Sequence, residues 1–194
     1  MKLVDFPRTG PRPNYCDADV YWTLWTLKDM GRMGRSELSV KLGMGEGSTR
    51  SVIKKLREAN LVSLYQTGTR INECGLAFLK ALPLTPVDVD VRDIVQDEYY
   101  QAVVVKGVAD KVMIGAEQRD VAIRAGGTGC ITIVYSKEGL MIPPDWNLDE
   151  RSKVTAVRIR ALHIMEENDV LVIGSAKNPH EARNAAVTVA LELL

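Results

Sequence analysis

The sequence has few of the residues that build metal centres and disulfide frameworks. Its 3 cysteines, Cys16, Cys74 and Cys130, lie far apart and form no C-x-x-C pair, and it has only 2 histidines. A disulfide framework and a structural zinc site both need cysteines in even, closely spaced sets. The sequence therefore predicts neither of these, and we expect no metal and no cofactor.

Catalytic motifs and long apolar runs are also missing. The sequence has no Walker A loop, no G-x-S-x-G elbow and no H-E-x-x-H pair. Glu117, Asp120 and Cys130 are the candidate catalytic groups, but they lack the spacing of a triad or a ligand set. No apolar run approaches the roughly 18 residues that span a bilayer, and the first residues lack the apolar core of a signal peptide. We expect a cytoplasmic protein that is not an enzyme and has no membrane contact.

The charge of the chain is unevenly distributed. Residues 1–82 have 13 Lys and Arg against 8 Asp and Glu, a net charge of +5. Residues 83–194 have 12 against 17, a net charge of −5. A basic half beside an acidic half is typical of a polyanion-binding domain joined to a domain with another role.

The basic half predicts helices and one hairpin. Apolar spacing and the Gly and Asn stops define these elements. They are helices at 17–30, 36–42, 48–59 and 73–82, a glycine turn at 43–47, and strands at 61–65 and 69–71. Asp17 is the predicted cap of the first helix. The order helix, helix, tight turn, helix, hairpin predicts a winged helix-turn-helix of three helices plus a β-hairpin wing.

The third predicted helix has a basic face opposite its apolar one. If Val52, Ile53 and Leu56 face the core, a rotation of about 100° per residue turns Arg50 and Lys54 outward, one turn apart. Arg binds guanine bidentately in the major groove, and hydroxyls at a helix N-terminus suit a phosphate. The residues predicted to contact DNA are Ser48, Thr49, Arg50, Ser51, Lys54, Lys55 and, beside the wing tip, Arg70.

Residues 17–82 resemble the winged-helix domains of bacterial and archaeal transcription regulators. The resemblance rests on the short second helix, the glycine turn, the basic third helix and the glycine-tipped hairpin. It implies binding to double-stranded DNA. Some winged helices dock on proteins instead, and this is an alternative interpretation.

The acidic half has short β-branched runs separated by glycine-containing turns. Its predicted elements are strands at 101–105, 130–135, 140–142 and 170–173 and helices at 116–125 and 180–193. The segment 153–165 fits both a helix and a strand. The predicted organisation is an irregular N-terminal arm at 1–14, domains at 15–82 and 99–194, and a linker at 83–98. The arm is either a surface tail or a minor-groove contact.

The segment GAEQRDVAIRAGGTG at 115–129 precedes an apolar strand and a hairpin that ends at Leu140-Met141-Ile142-Pro143. Together with the winged helix before it, this segment makes nearly the whole chain resemble an uncharacterised archaeal two-domain family. The resemblance implies an α+β protein whose C-terminal domain has two layers, with helices on one mostly antiparallel sheet. That domain is similar to the insertion domain of aspartyl-tRNA synthetases and tRNA-dependent amidotransferases. The resemblance transfers no catalytic residue.

Two roles are predicted for the C-terminal domain. Glu117, Arg119, Asp120 and Thr128 are candidates for a small effector pocket. The last helix has a small-residue apolar face that permits close packing on a sheet or on a second subunit, and we expect a homodimer built largely by this domain. The function predicted is DNA-binding transcription regulation. The alternative is an RNA- or protein-binding module of the translation or transcription machinery.

Overall fold

The computed structural model describes residues 1–3 and 14–194, so most of the predicted arm at 1–14 lies outside the described residues. The chain divides into two compact units, Lys2–Leu82 and Pro83–Leu194, with Met1 assigned to the second. The predicted α+β class is confirmed. Within the described ranges, none of the helices is both long and apolar enough to cross a membrane.

The first unit has the predicted order of helices and hairpin. Its elements are α1 Asp17–Met30, α2 Arg35–Leu42, α3 Glu46–Glu58, β1 Val62–Tyr65, β2 Gly68–Ile71 and α4 Glu73–Ala81. Fully buried Leu24, Leu38 and Leu56 join α1, α2 and α3 in one core. The predicted cap of α1 is wrong by one residue, because Cys16 is the N-cap and its N–H donates to the Asp19 carboxylate at 2.8 Å.

Helix α3 begins two residues earlier than the sequence predicts. Gly43 ends α2 in the left-handed conformation at φ 64°, and Gly45 already stands at the N-cap of α3. The predicted turn at 43–47 is therefore shorter, because Gly47 is part of the helix. A glycine weakens a helix interior but does not forbid it. The earlier start leaves Ser48 in the first turn of α3 but puts Arg50 and Ser51 beyond it.

The hairpin tip is fixed to the segment between α1 and α2. Met33 and Thr69 exchange two backbone hydrogen bonds, at 2.8 and 3.0 Å, which form an isolated antiparallel bridge to the hairpin. Gly68 has a φ of 135°, and a Cβ built on it would lie 2.3 Å from the carbonyl oxygen of Met33. A side chain at position 68 would therefore break this bridge.

We expect Gly68→Ala to lower the free energy of unfolding of the first unit by about 1–3 kcal/mol, since the added carbon meets backbone atoms at a disfavoured φ. Thermal or urea unfolding followed by circular dichroism measures the change. Gly34→Ala is the matched control, because a Cβ at Gly34 has nothing within 4 Å. Equal stability of Gly68→Ala and Gly34→Ala would contradict the role given to Gly68.

The second unit contains one six-stranded sheet in which every pairing is antiparallel. Its elements are β3 Leu84–Val87, β4 Tyr99–Val105, α5 Ala116–Arg124, β5 Gly129–Ser136, β6 Gly139–Ile142, β7 Trp146–Asn147, α6 Leu148–Arg151, α7 Lys153–Ala161, β8 Val170–Ala176 and α8 Pro179–Leu193. The strand order is β3-β4-β8-β5-β6-β7. The predicted, mostly antiparallel sheet is confirmed.

The predicted linker at 83–98 is wrong, because part of it belongs to the sheet. Strand β3 pairs with β4 from Leu84↔Val105 to Val87↔Ala102, and Val89, Val91 and Val95 are buried in the core of the second unit. The prolines around this strand suggested a break. Proline is tolerated on an edge strand, however, and β3 is the edge of this sheet.

Helices cover both faces of the sheet. On one face α5 and α8 contact the central strands β4, β5 and β8. On the opposite face Leu171 and Ile173 of β8 share a core with Ala156 and Ile159 of α7. The structure thus settles segment 153–165 as helix α7 followed by a loop, and it adds a third layer to the predicted sheet and helices.

The small-residue face of α8 packs inside its own domain. Ala182, Ala185, Ala186 and Val189 are all at most 1% exposed. Gly174 of β8 lies directly beneath this helix, since a Cβ there would come within 2.4 Å of the Ala186 nitrogen. Of the two alternatives, packing on a sheet is therefore the observed one, and this face is not available for a second subunit.

Candidate nucleic-acid interface

A groove of about 540 Å³ lies between helix α3 and the β1–β2 hairpin. The hairpin supplies one wall, including Leu64, Tyr65 and Thr67, and α3 supplies the other. The charged residues that line the groove are Arg35, Arg50, Lys54 and Arg57. Among the described residues, no carboxylate lines it. The groove is therefore cationic, and Ile53 and Leu64 add apolar side chains to its walls.

Three cations of α2 and α3 form long ion pairs at the surface. Lys54 and Lys55 approach the carboxylate of Glu58 at 3.9 and 3.6 Å, and Arg35 approaches Glu46 at 3.8 Å. Exposed pairs of this kind contribute about 0–1 kcal/mol. A polyanion can replace such carboxylates at low cost, so these side chains remain available for binding.

Helix α3 exposes most of the predicted contact residues. Arg50, Ser51 and Lys54 lie on its solvent side, and Lys55 is half-buried. Ser48 donates its hydroxyl to the Asn14 carbonyl at 2.9 Å, and Ser51 donates to the Gly47 carbonyl at 3.0 Å. The oxygens of a phosphate only accept hydrogen bonds. Each hydroxyl must therefore rotate away from the carbonyl that it now binds before it can donate to a phosphate.

Thr49 is wrong as a predicted DNA contact. It is fully buried, and its hydroxyl donates to the Gly45 carbonyl one turn back at 3.1 Å. Thr49 lies three residues before Val52 and seven before Leu56, so it falls on the same buried stripe of α3. Its hydroxyl is satisfied inside the domain and cannot reach a ligand.

Arg70 is exposed, but on the other side of the hairpin from the groove. It pairs with Ser63, whereas Leu64 and Thr69 pair next to it. Side chains alternate between the faces of a strand, so Arg70 and Ser63 point away from the face of Leu64 and Thr69. The groove is lined by Leu64 and Thr69 and not by Arg70.

The sequence prediction missed, or gave less weight to, two basic residues that line the groove, Arg57 and Arg35, and one beside the hairpin tip, Arg32. Arg57 continues the face of Arg50 and Lys54 by helical spacing, so its position was available from the periodicity. Arg35 begins α2, and Arg32 lies in the segment before it. These two reach the hairpin side of the domain only through tertiary contacts, for which the local sequence carries no signal.

The predicted effector pocket stays a prediction. Glu117, Arg119 and Asp120 are exposed along α5, and they line neither the groove beside α3 nor the two clefts at the far end of β5. Thr128 is engaged elsewhere. Its hydroxyl and that of Ser175 donate to the same carboxylate oxygen of Asp97, at 2.8 and 2.6 Å. These two hydrogen bonds lower the pKa of Asp97 and tie β5 to β8.

The cavities of the second unit lie at the far end of β5 instead. Two clefts, of about 630 and 380 Å³, share Tyr135, Arg160 and Met165. Arg160 is bound there through both terminal nitrogens to Asp149, and this pairing lowers the pKa of the carboxyl. The pair of Arg160 and Asp149 therefore links α7 to α6.

The thiol of Cys130, a candidate catalytic group, is unreactive in this environment. Cys130 stands in β5 opposite Gly174, and burial raises the pKa of its thiol to about 12. A nucleophilic cysteine needs the thiolate near neutral pH. At that pH Cys130 is a protonated, small apolar side chain.

Two comparisons with known proteins bear on the chain. The profile of a family described as "Domain of unknown function (DUF4443)" matches residues 96–193. A solved structure titled "Hypothetical protein PH0730 from Pyrococcus horikoshii OT3" is 26% identical, with a TM-score of 0.74 over 93% of each chain. No curated protein matches the sequence. The predicted likeness to an uncharacterised archaeal protein of this layout is thus confirmed at the level of fold.

Proposed function

The chain belongs to the DUF4443 family, whose description assigns no function, and we propose that it is a winged-helix transcription regulator that binds double-stranded DNA. One observation carries the proposal. Four basic side chains, Arg35, Arg50, Lys54 and Arg57, converge on the groove between α3 and the hairpin. This groove lies in the half of the chain with a net charge of +5.

The dimensions of B-DNA suit this arrangement. The major groove is about 12 Å wide and admits one α-helix. With α3 in the major groove, the exposed Arg50 and Lys54 face base edges and the nearest phosphates, while Ser48 near the start of the helix faces the backbone. Bidentate contacts from Arg to guanine supply specificity, and phosphate contacts supply most of the salt-dependent affinity.

The small number of aromatic rings among the described residues of the groove favours duplex DNA over single-stranded RNA as the ligand. Recognition of unpaired RNA bases depends on aromatic rings that are free for stacking. The groove has one aromatic ring among the described residues, that of Tyr65, and the Arg32 guanidinium lies 4.9 Å from its centroid. The likeness of the C-terminal domain to a tRNA-synthetase insertion domain remains a prediction and is the reason to test RNA as a competitor.

We assign the C-terminal domain to dimerisation and to sensing. A single winged helix reads a short site, and two copies on adjacent half-sites give useful specificity. The contact must use a surface other than the buried face of α8. The exposed apolar residues Met113, Ile114 and Ile123 provide one such surface on the described part of this domain.

Selection of bound duplexes from a random pool tests the proposal. We expect enrichment of a defined sequence, arranged as an inverted repeat if the protein acts as a dimer. In competition at fixed salt, transfer RNA should displace the selected duplex only weakly. Failure to retain any duplex at low salt, or preferential retention of the transfer RNA, would overturn the proposal.

A further inference from the structure

Arg32 is joined to the hairpin tip by two contacts. It follows Gly31, which ends α1 at φ 81°, and its side chain is exposed. The Arg32 Nη1 donates to the Thr67 hydroxyl at 2.7 Å, and the guanidinium carbon lies 4.9 Å from the centroid of the Tyr65 ring. Tyr65 and Thr67 both line the hairpin wall of the basic groove. Arg32 therefore stands at the rim that the hairpin tip gives this groove, although it does not line the groove itself.

We infer that Arg32 is a phosphate-binding residue, held in position by the hairpin tip. The inference rests on the proposed function and extends it. The part of the duplex that contacts this rim is then the sugar–phosphate backbone beside the hairpin tip. It also assigns the contact to a residue that belongs neither to α3 nor to the hairpin.

The chemistry of the guanidinium supports this role. Arginine has five N–H donors, and the contact with Thr67 uses one of them. Within residues 1–3 and 14–194, no carboxylate forms an ion pair with Arg32. Stacking on an exposed aromatic ring contributes about 0.5–1 kcal/mol and leaves the charge in place. Arg32 thus offers free donors and a full positive charge to an anion.

The same contacts reduce the cost of binding. An exposed Arg side chain has many rotamers, and fixing them on association costs about 0.5–1.5 kcal/mol. Tyr65 and Thr67 already fix the plane of the Arg32 guanidinium. The Met33–Thr69 bridge in turn fixes the hairpin next to Arg32. A phosphate in the groove meets a donor set whose orientation is already established.

Arg32 and Arg70 are both exposed arginines beside the hairpin. Side chains alternate along a strand, so Tyr65 lies on the face of Ser63 and Arg70, and Arg32, which stacks on Tyr65, lies on that face as well. Arg32 differs from Arg70 in its hydrogen bond to Thr67 at the hairpin tip, a residue that lines the groove.

Arg32→Gln tests the inference. This variant keeps a side chain that can donate to Thr67 but removes the charge. The affinity of the full chain for a duplex is measured over a range of salt concentrations. Each phosphate contact contributes about 0.9 to the slope of log affinity against log salt. We expect Arg32→Gln to reduce the slope by about 1 and to lower affinity about 3- to 10-fold at moderate salt, with an unchanged melting curve.

Two further variants make the result specific. Tyr65→Leu removes the stacking and keeps the charge of Arg32, so affinity should fall with little change in slope. Lys80→Ala removes one exposed charge on α4, outside the groove, and the slope should stay within error. An unchanged slope for Arg32→Gln, or an equal fall in slope for Lys80→Ala, overturns the inference while the proposed function stands. Absence of duplex binding by the unmodified chain overturns the proposed function itself.

Discussion

Replacing Arg50 and Lys54 together with alanine is expected to weaken duplex binding about 100-fold or more at moderate salt. The two side chains are exposed, lie one turn apart on α3 and line the same groove. A lost contact to a base edge costs about 1–3 kcal/mol, and 1.4 kcal/mol corresponds to a tenfold change in affinity. The slope of log affinity against log salt should fall by up to about 2, one for each phosphate contact removed.

The stability of the first unit should be unaffected by this double change. Alanine is the best helix former, and the pair between Lys54 and Glu58 is exposed and long at 3.9 Å. The charge-matched control is Lys80→Ala with Lys177→Ala, which removes two exposed lysines outside the groove. If both double variants lose the same affinity, the chain binds DNA through its overall charge. The groove would then have no special role.

The face of α3 could be predicted because helix periodicity is local. Apolar residues at Val52, Ile53 and Leu56 define the buried stripe, and the exposed positions of Arg50 and Lys54 follow from it. The error at Thr49 arose because its hydroxyl was interpreted as a phosphate ligand at a helix N-terminus. Thr49 lies three residues before Val52 and seven before Leu56, so helical spacing already places it on the buried stripe. The periodicity was the better guide at this position.

The hairpin side of the groove could not be predicted from local patterns. The positions of Arg32 and Arg35 depend on the bridge between Met33 and Thr69, which are far apart in sequence. Arg70 looked equivalent because it is close to the tip along the chain. Which face of the hairpin a residue occupies follows from the register, and the structure fixes that register at Ser63↔Arg70.

Segment 153–165 illustrates a different limit. Val157 and Ile159 alternate with Arg158 and Arg160, which is the pattern of a strand. In helix α7, Thr155, Ala156 and Ile159 face the core and Val157 is 66% exposed. An exposed valine breaks the rule that apolar residues mark the buried face. The sequence pattern alone could not show that Val157 is exposed.

The second large effect is expected at Gly174, which the sequence suggested as the end of a strand. It lies instead inside β8, paired with Gln101 on one side and Cys130 on the other. A Cβ built on it would lie 2.4 Å from the Ala186 nitrogen, 2.9 Å from the Ala186 Cα and 3.0 Å from the Ala182 carbonyl oxygen. These are backbone atoms of α8, so the whole helix must move to admit a methyl group.

Gly174→Ala should therefore lower the free energy of unfolding of the second unit by about 2–3 kcal/mol, at the upper end of the usual cost of overpacking a core. Urea unfolding of the full chain, followed by circular dichroism, measures the loss. Gly129→Ala is the matched control in the neighbouring strand β5, because its Cβ would meet the Ser175 hydroxyl, at 3.2 Å, and no backbone atom within 4 Å. Equal stability of the two variants would mean that α8 can move to admit a methyl group at no measurable cost, which would contradict the close packing of α8 on β8.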